Sequence, residues 1–297
     1  MLEDLKRLFR GNNFIGQMIL INASVFVLTN VASAIFFKGD DSPIFQWLGI
    51  PGTISEFILV PWTAITYMFM HGGLWHIAFN MYMFYWFGRI FSDFLGEKRL
   101  TGLYFLGGIS GGILFLLAYS IMYLGGEPLQ GSVLVGASAA VMAVTIAVGV
   151  RFPDYVIHLF LFGAVRLKYV ALVIFILSTV LDFTINTGGK IAHLGGAIFG
   201  FLYARGLDQG KDYALGFYEF FEGLGKRAKK APRMKVVSED KKTRQRTRPS
   251  SSSSHTASSS NEDQAKTDAI LDKISKSGYD NLTKEEKEFL FKLSNKP

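Results

Sequence analysis

Hydrophobic residues in this chain run in long blocks instead of alternating with polar ones, at roughly 15–37, 74–92, 102–124, 134–150, 169–186 and 190–206. A helix rises about 1.5 Å per residue and the hydrocarbon core of a bilayer is about 30 Å thick, so such blocks predict membrane-spanning helices. Six spans are expected. The fourth and sixth are short and rich in Gly and Ala, which suits helices enclosed by other helices, so they are expected at the bundle centre. The first block follows Lys6, Arg7 and Arg10 and contains Ala32-Ser33-Ala34, features shared with a cleavable leader. Its continuation through Ile35-Phe36-Phe37 and the five blocks after it favour a retained first span.

Charge sets the expected orientation. Lys6, Arg7, Arg10, Arg89, Lys98, Arg99, Arg151, Arg166 and Lys168 fall on one side of the alternating spans, and only Lys38 and Lys190 on the other. The positive-inside rule then puts both termini in the cytoplasm, with spans two, four and six running inward from outside. The connection between spans one and two is about 35 residues long and carries Trp47, Phe57, Ile58, Leu59 and Trp62. It reads as an interfacial loop, with a role either as an aromatic belt or in shaping a substrate entrance.

Past residue 209 the pattern changes. Residues 210–234 combine Tyr213, Phe217, Tyr218, Phe220 and Phe221 with Lys226-Arg227 and Lys229-Lys230, an amphipathic, basic juxtamembrane segment suited to an anionic leaflet. Residues 235–262 are Ser-, Lys- and Arg-rich and are expected to be a disordered linker, because they cannot bury enough apolar surface. In 263–297, Ala269, Ile270 and Ile274 share one face and Phe289, Leu290 and Leu293 another. Thr283 and Glu286 have capping-box spacing, so a small helical hairpin is expected. The expected organisation is all-α: a six-helix membrane domain over 1–209, followed by these three cytoplasmic segments.

Composition narrows the chemistry. There is no cysteine, so disulfides, thiolate metal sites and a cysteine nucleophile are out. The net charge of +7 resides in short loops and the stretch from Lys226 to Arg248, which fits a membrane surface better than nucleic acid. Polar groups inside an apolar span are functional candidates. Span two opens with His71-Gly72-Gly73-Leu74-Trp75-His76 and continues to Asn80. Span four holds Gly136-Ala137-Ser138-Ala139, and span six holds Ala192-His193-Leu194-Gly195-Gly196. In the expected orientation His76, Ser138 and His193 lie at similar depth near the outer face.

A serine hydroxyl becomes a useful nucleophile when a neutral imidazole can take its proton, which makes Ser138 and His193 a natural pair. His76 and Asn80 are four apart, hence on one helical face, and can aim donors at a developing oxyanion. Gly136 and Gly195-Gly196 allow close backbone approach, and Gly196 and Gly200 form a small-xxx-small face whose plainest role is packing. Asn22 and Asn30 read as interhelical hydrogen bonders, and Asp182 as an interfacial acid. The run from His71 to His76 contains no acid and so lacks a zinc-protease ligand set. Paired intramembrane carboxylates are also missing, and the off-centre, unrepeated polar set does not suit a transporter.

Taken together, His71, His76 and Asn80, Gly136-x-Ser138 and Ala192-His193-x-Gly195-Gly196 resemble the rhomboid family of intramembrane serine proteases over about residues 14–207. The resemblance implies a six-helix fold, a Ser138/His193 dyad, His76 and Asn80 as oxyanion donors, and His71 with Gly136 as supporting positions. It implies no cofactor and no metal. It further implies cleavage of single-span or polytopic membrane proteins near the outer face, from a multi-pass position in the membrane; the size and simplicity of the chain suggest a bacterial inner membrane. Three positions depart from the family pattern. Ala139 stands where glycine usually follows the serine, and its methyl either crowds the scissile backbone or is absorbed by a small shift. Thr63 follows Trp62 where arginine is frequent, and Met142 replaces an aromatic one turn past the serine. The alternative is an inactive relative that binds membrane clients. For the tail the expected partner is anionic lipid or a cytoplasmic protein.

Overall fold

The computed structural model describes residues 13–38, 42–127, 132–159, 163–180, 187–228, 266–274 and 281–294. The chain divides into two compact units, Met1–Arg233 and Met234–Pro297. In the first, helix α1 spans Phe14–Phe36 and starts at Asn13, whose side chain accepts from the Gly16 N–H. Short helices α2 (Ser42–Leu48), α3 (Ile54–Phe57) and α4 (Thr63–Thr66) with a 3-10 turn (Tyr67–Phe69) make up the long first connection. The longer helices follow as α5 (Leu74–Leu95), α6 (Glu97–Leu124), α7 (Ser138–Arg151), α8 (Leu167–Phe175, continued by a π turn at Ile176–Val180) and α9 (Thr187–Leu207). Helix α10 covers Tyr213–Ala228.

Each expected apolar block overlaps a helix, and residues 181–186 with Asp182 lie outside the described residues. By length and hydropathy α1 and α6 are each able to cross a membrane. The apolar stretches Ser138–Arg151 and Leu167–Val180 are shorter. Trp75 and Leu124 are more than four-fifths exposed, and Leu28 and Ile35 about two-thirds. Surfaces of this kind aggregate in water and are matched by lipid.

The centre is made of small residues. A Cβ on Gly196 would strike the backbone of Ala139, and one on Gly200 the backbone of Ala143, so α9 lies directly against α7. Helix α6 packs on both, with Ser110 Oγ donating to Gly195 O at 3.1 Å. Phe84, Phe91, Tyr104 and Phe115 belong to the same hydrophobic core and are almost fully buried. Helix α1 is peripheral: only its N-terminal part and Ser33 bury side chains.

The structure differs from the sequence expectations in several places. The fourth apolar block does not start a helix at residue 134. Val133 and Leu134 instead form strand β2, pairing antiparallel with β1 (Ile50–Pro51), and α7 starts at Ser138. Hydropathy cannot see this boundary, because an apolar strand runs straight into an apolar helix. A hairpin of β3 (Val156–Leu159) and β4 (Gly163–Arg166) lies between α7 and α8. Asn22 and Asn30 donate to Met18 O and Phe26 O of their own helix, at 2.8 and 2.7 Å, and the Asn22 side chain also meets the Tyr104 hydroxyl of α6, so the expected interhelical contact is found for Asn22 and an intrahelical bond for Asn30. A polar side chain in an apolar helix can satisfy itself on the carbonyl one turn back.

In the second unit, α11 (266–274) and α12 (Lys284–Ser294) are described. The Thr283–Glu286 capping box is present in both directions, and Lys273 Nζ donates to both Glu286 oxygens at 2.9 Å. The expected linker over 235–262, and His255 within it, lie outside the described residues.

Candidate active site

The approach to Ser138 is set by backbone. The β1–β2 pairing holds residues 133–134, and Gly136 N–H donates to Tyr67 O at 2.9 Å. Gly136 then adopts φ +126°, a conformation L side chains avoid, and turns the strand into α7. A Cβ at Gly136 would lie 2.9 Å from His76 Nε2 and 3.6 Å from Ser138 Oγ. The glycine is thus required twice, for its dihedral and for its missing side chain. The same geometry gathers the His76 ring and the Ser138 hydroxyl around one point. Because Ser138 is the first residue of α7, the unpaired N–H groups and positive dipole end of that helix lie at the serine.

His193 lies on α9, half-buried, with Nδ1 3.1 Å from the carbonyl oxygen of Ser178. A carbonyl only accepts, so Nδ1 carries a proton, and in the neutral imidazole Nε2 is then the acceptor. Ser178 belongs to the π turn that ends α8. Single π turns of this kind are frequent at functional sites.

Ser138, His193, His76 and Asn80 all line one cavity of about 520 Å³. Phe79 and Met83 of α5 and Ile174, Leu177 and Ser178 of α8 form its sides, with Met142 and Thr145 of α7 deeper along the wall. Asn80 donates one amide hydrogen to His76 O at 2.8 Å, which steadies the side chain and leaves a second hydrogen. His76 also lines a neighbouring cavity of about 390 Å³ with Trp75, Tyr119 and Val135.

His71 does not line the larger cavity. It is buried behind His76, edge-on to its ring with centroids 5.1 Å apart, and its Nδ1 donates to Phe69 O at 3.3 Å. The three departures from the family pattern also have clear positions. The Ala139 methyl is buried against Gly111 of α6, outside the cavity lining. Thr63 is fully buried and its hydroxyl donates to Val60 O at 2.7 Å, so this position does not face the site. Met142 lines the cavity one turn past Ser138.

The sequence reading missed the Ser178 carbonyl, since a backbone acceptor has no side-chain signature. Ser178 itself, a polar residue within the apolar block of span five, was the available signal.

The family model described as the rhomboid domain matches residues 60–209. The chain belongs to the rhomboid family. This rhomboid is accordingly an integral membrane protein of mainly helical fold, and its match covers every residue lining the larger cavity. A second model, for a family of unknown function (DUF6576), matches residues 256–296, which include α11 and α12. Comparison with curated proteins gives no match.

Proposed function

We propose that this rhomboid is an active intramembrane serine endopeptidase that cuts transmembrane segments of other membrane proteins. The observation that carries this reading is the single cavity lined by Ser138, His193, His76 and Asn80. In the proposed reaction Ser138 Oγ attacks a peptide carbonyl of a locally unwound substrate helix, and His193 Nε2 takes the hydroxyl proton. His76, the second Asn80 hydrogen and the first N–H groups of α7 stabilise the oxyanion. His193 then returns the proton to the leaving amine, and water resolves the acyl-enzyme by the same route. The Ser178 carbonyl takes the part of the orienting third group, holding the imidazole in the tautomer the base needs. No step calls for a cofactor or metal.

The buried position of Ala139 against Gly111 favours the active reading over an inactive client binder, because the methyl stays clear of the space a scissile bond would occupy. The domain is proposed to cross the membrane six times, with both termini in the cytoplasm of a bacterial cell and its substrates in the same inner membrane. The test is cleavage of a single-span substrate in proteoliposomes by wild type, Ser138→Ala and His193→Ala. Loss of the nucleophile or base costs about 10⁴- to 10⁶-fold in serine proteases, so both variants fall to background. Equal cutting by all three refutes the mechanism. Tight substrate binding with no cutting by wild type selects the client-binding reading.

A further inference from the structure

Helix α9 passes the chain to α10 through a tight turn in which Lys211 N–H donates to Gly206 O at 2.9 Å and Gly210 takes φ +73°. Asp212 then joins three helices through one carboxylate. It accepts from Leu215 N–H of α10 at 3.0 Å, from Tyr203 OH of α9 at 3.2 Å and from Arg99 Nε of α6. Two residues further on, a Cβ on Gly102 of α6 would run into the Ala214 carbonyl, so α10 rests directly on the α6 backbone. Lys98 Nζ sits 5.4 Å from the Tyr218 ring centroid and adds a further contact. Helix α10 is therefore clamped across the end of the bundle where α6 begins and α9 finishes.

The clamp uses the face of Ala214 and Tyr218. An adjoining face carries Tyr213, Phe217, Phe220, Phe221 and Leu224, spaced i, i+4, i+7, i+8 and i+11 along one side of the helix. Phe220 is 62% exposed, and Tyr213, Phe221 and Leu224 are about half exposed. Phe221 contacts both Phe217 and Phe220, with centroids 4.8 and 5.3 Å apart. The sequence then brings Lys226, Arg227, Lys229, Lys230, Arg233 and Lys235, with no acid before Glu239.

We infer that α10 is an interfacial helix whose aromatic stripe inserts among the headgroups of an anionic leaflet at that end of the bundle, an attachment favoured by the positive charge of the sequence that follows it. Two facts select lipid as the occupant. The helix is fixed at the end of a membrane-embedded bundle, where the leaflet surface is the adjacent medium. The charge following the stripe is uniformly positive, complementary to anionic headgroups. This inference rests on membrane embedding alone and does not depend on protease activity.

The chain has no cysteine, so single spin labels can be placed by Phe220→Cys, Leu224→Cys and Glu219→Cys in the full-length protein. Each is reconstituted in nanodiscs of phosphatidylcholine alone or mixed with phosphatidylglycerol. In the mixed discs labels at 220 and 224 should be reached by oxygen and shielded from a water-soluble nickel chelate, with the reverse at 219. Replacing Lys226, Arg227, Lys229 and Lys230 by glutamine should reduce that shielding only where phosphatidylglycerol is present, and circular dichroism should show the helices retained. Nickel access at 220 and 224 in both lipids overturns the inference. So does shielding that is indifferent to phosphatidylglycerol and to the glutamine variant, or dipolar broadening that appears only with two chains per disc and marks a second copy as the occupant.

Discussion

Where α9 crosses α7, Gly196 lies on the backbone of Ala139 and Gly200 on that of Ala143. Across the same cavity, α5 and α8 face each other through Phe79, Met83, Ile174 and Leu177, with about 520 Å³ of open space involved. Ten of the fourteen residues of α7 are buried, whereas α8 buries only Leu167 and Ala171 and its π turn buries none. In lipid, apolar contact alone does little to hold helices together, because hydrocarbon tails compete on equal terms. Close backbone approach does what burial from water does in a soluble core. Ser138 and His193 sit on the closely packed pair, so their separation is governed by a direct backbone-to-backbone contact. The carbonyl that orients His193 belongs to the looser wall.

The strongest way to break this contrast is to put a side chain into the tight contact. Gly196→Val must push α9 away from the Ala139 backbone, and overpacking of this kind costs about 1–3 kcal/mol. Steric-trap unfolding in bicelles should register that loss, together with loss of substrate cleavage although no site residue has changed. A Gly196→Val protein with wild-type stability and cleavage would show that the α7–α9 contact is not the rigid frame.

How much of this was readable beforehand depends on which groups carry it. The helical blocks were visible as uninterrupted hydropathy, and the residues gathered at the cavity stood out because Ser138, His193, His76 and Asn80 are polar groups in apolar surroundings. The β1–β2 pair was not visible, since two residues per strand leave no alternation to detect, and with it the start of α7 at Ser138 was misplaced by four residues. The β3–β4 hairpin had a faint signal in Val156-Ile157-His158-Leu159, lost within a short polar connection. The intrahelical bonding of Asn22 and Asn30, the Ser178 acceptor and the direction of the Ala139 methyl depend on three-dimensional placement that residue type does not encode.

Ala139 offers a milder test on the tight side. Its methyl fills the space against Gly111, so Ala139→Gly leaves a small void and a more flexible helix start. The expected loss is about 1 kcal/mol from helix propensity alone. Substrate turnover should not rise, because the methyl does not line the cavity. A several-fold rate gain without destabilisation would place the methyl in the path of the scissile bond after all.

The smallest stability effect is expected on the loose wall. Leu177 lines the cavity yet is 57% exposed, so in a bilayer much of its side chain already touches lipid. In Leu177→Ala a lipid chain can occupy the vacated space, and stability should change by no more than about 0.5 kcal/mol. If the substrate helix reaches Ser138 between α5 and α8, the same trimming lowers the bulk it must displace, and kcat/KM should rise a few-fold. Leu28→Ala on α1 is the matched control, since Leu28 is 66% exposed and lies away from the cavity. It should leave both stability and cleavage unchanged. Equal rates in the two variants would remove the α5–α8 wall as the route of access. A stability loss in Leu177→Ala as large as that in Gly196→Val would erase the distinction between the two walls, because a side chain that lipid can replace should not be needed to hold helices together.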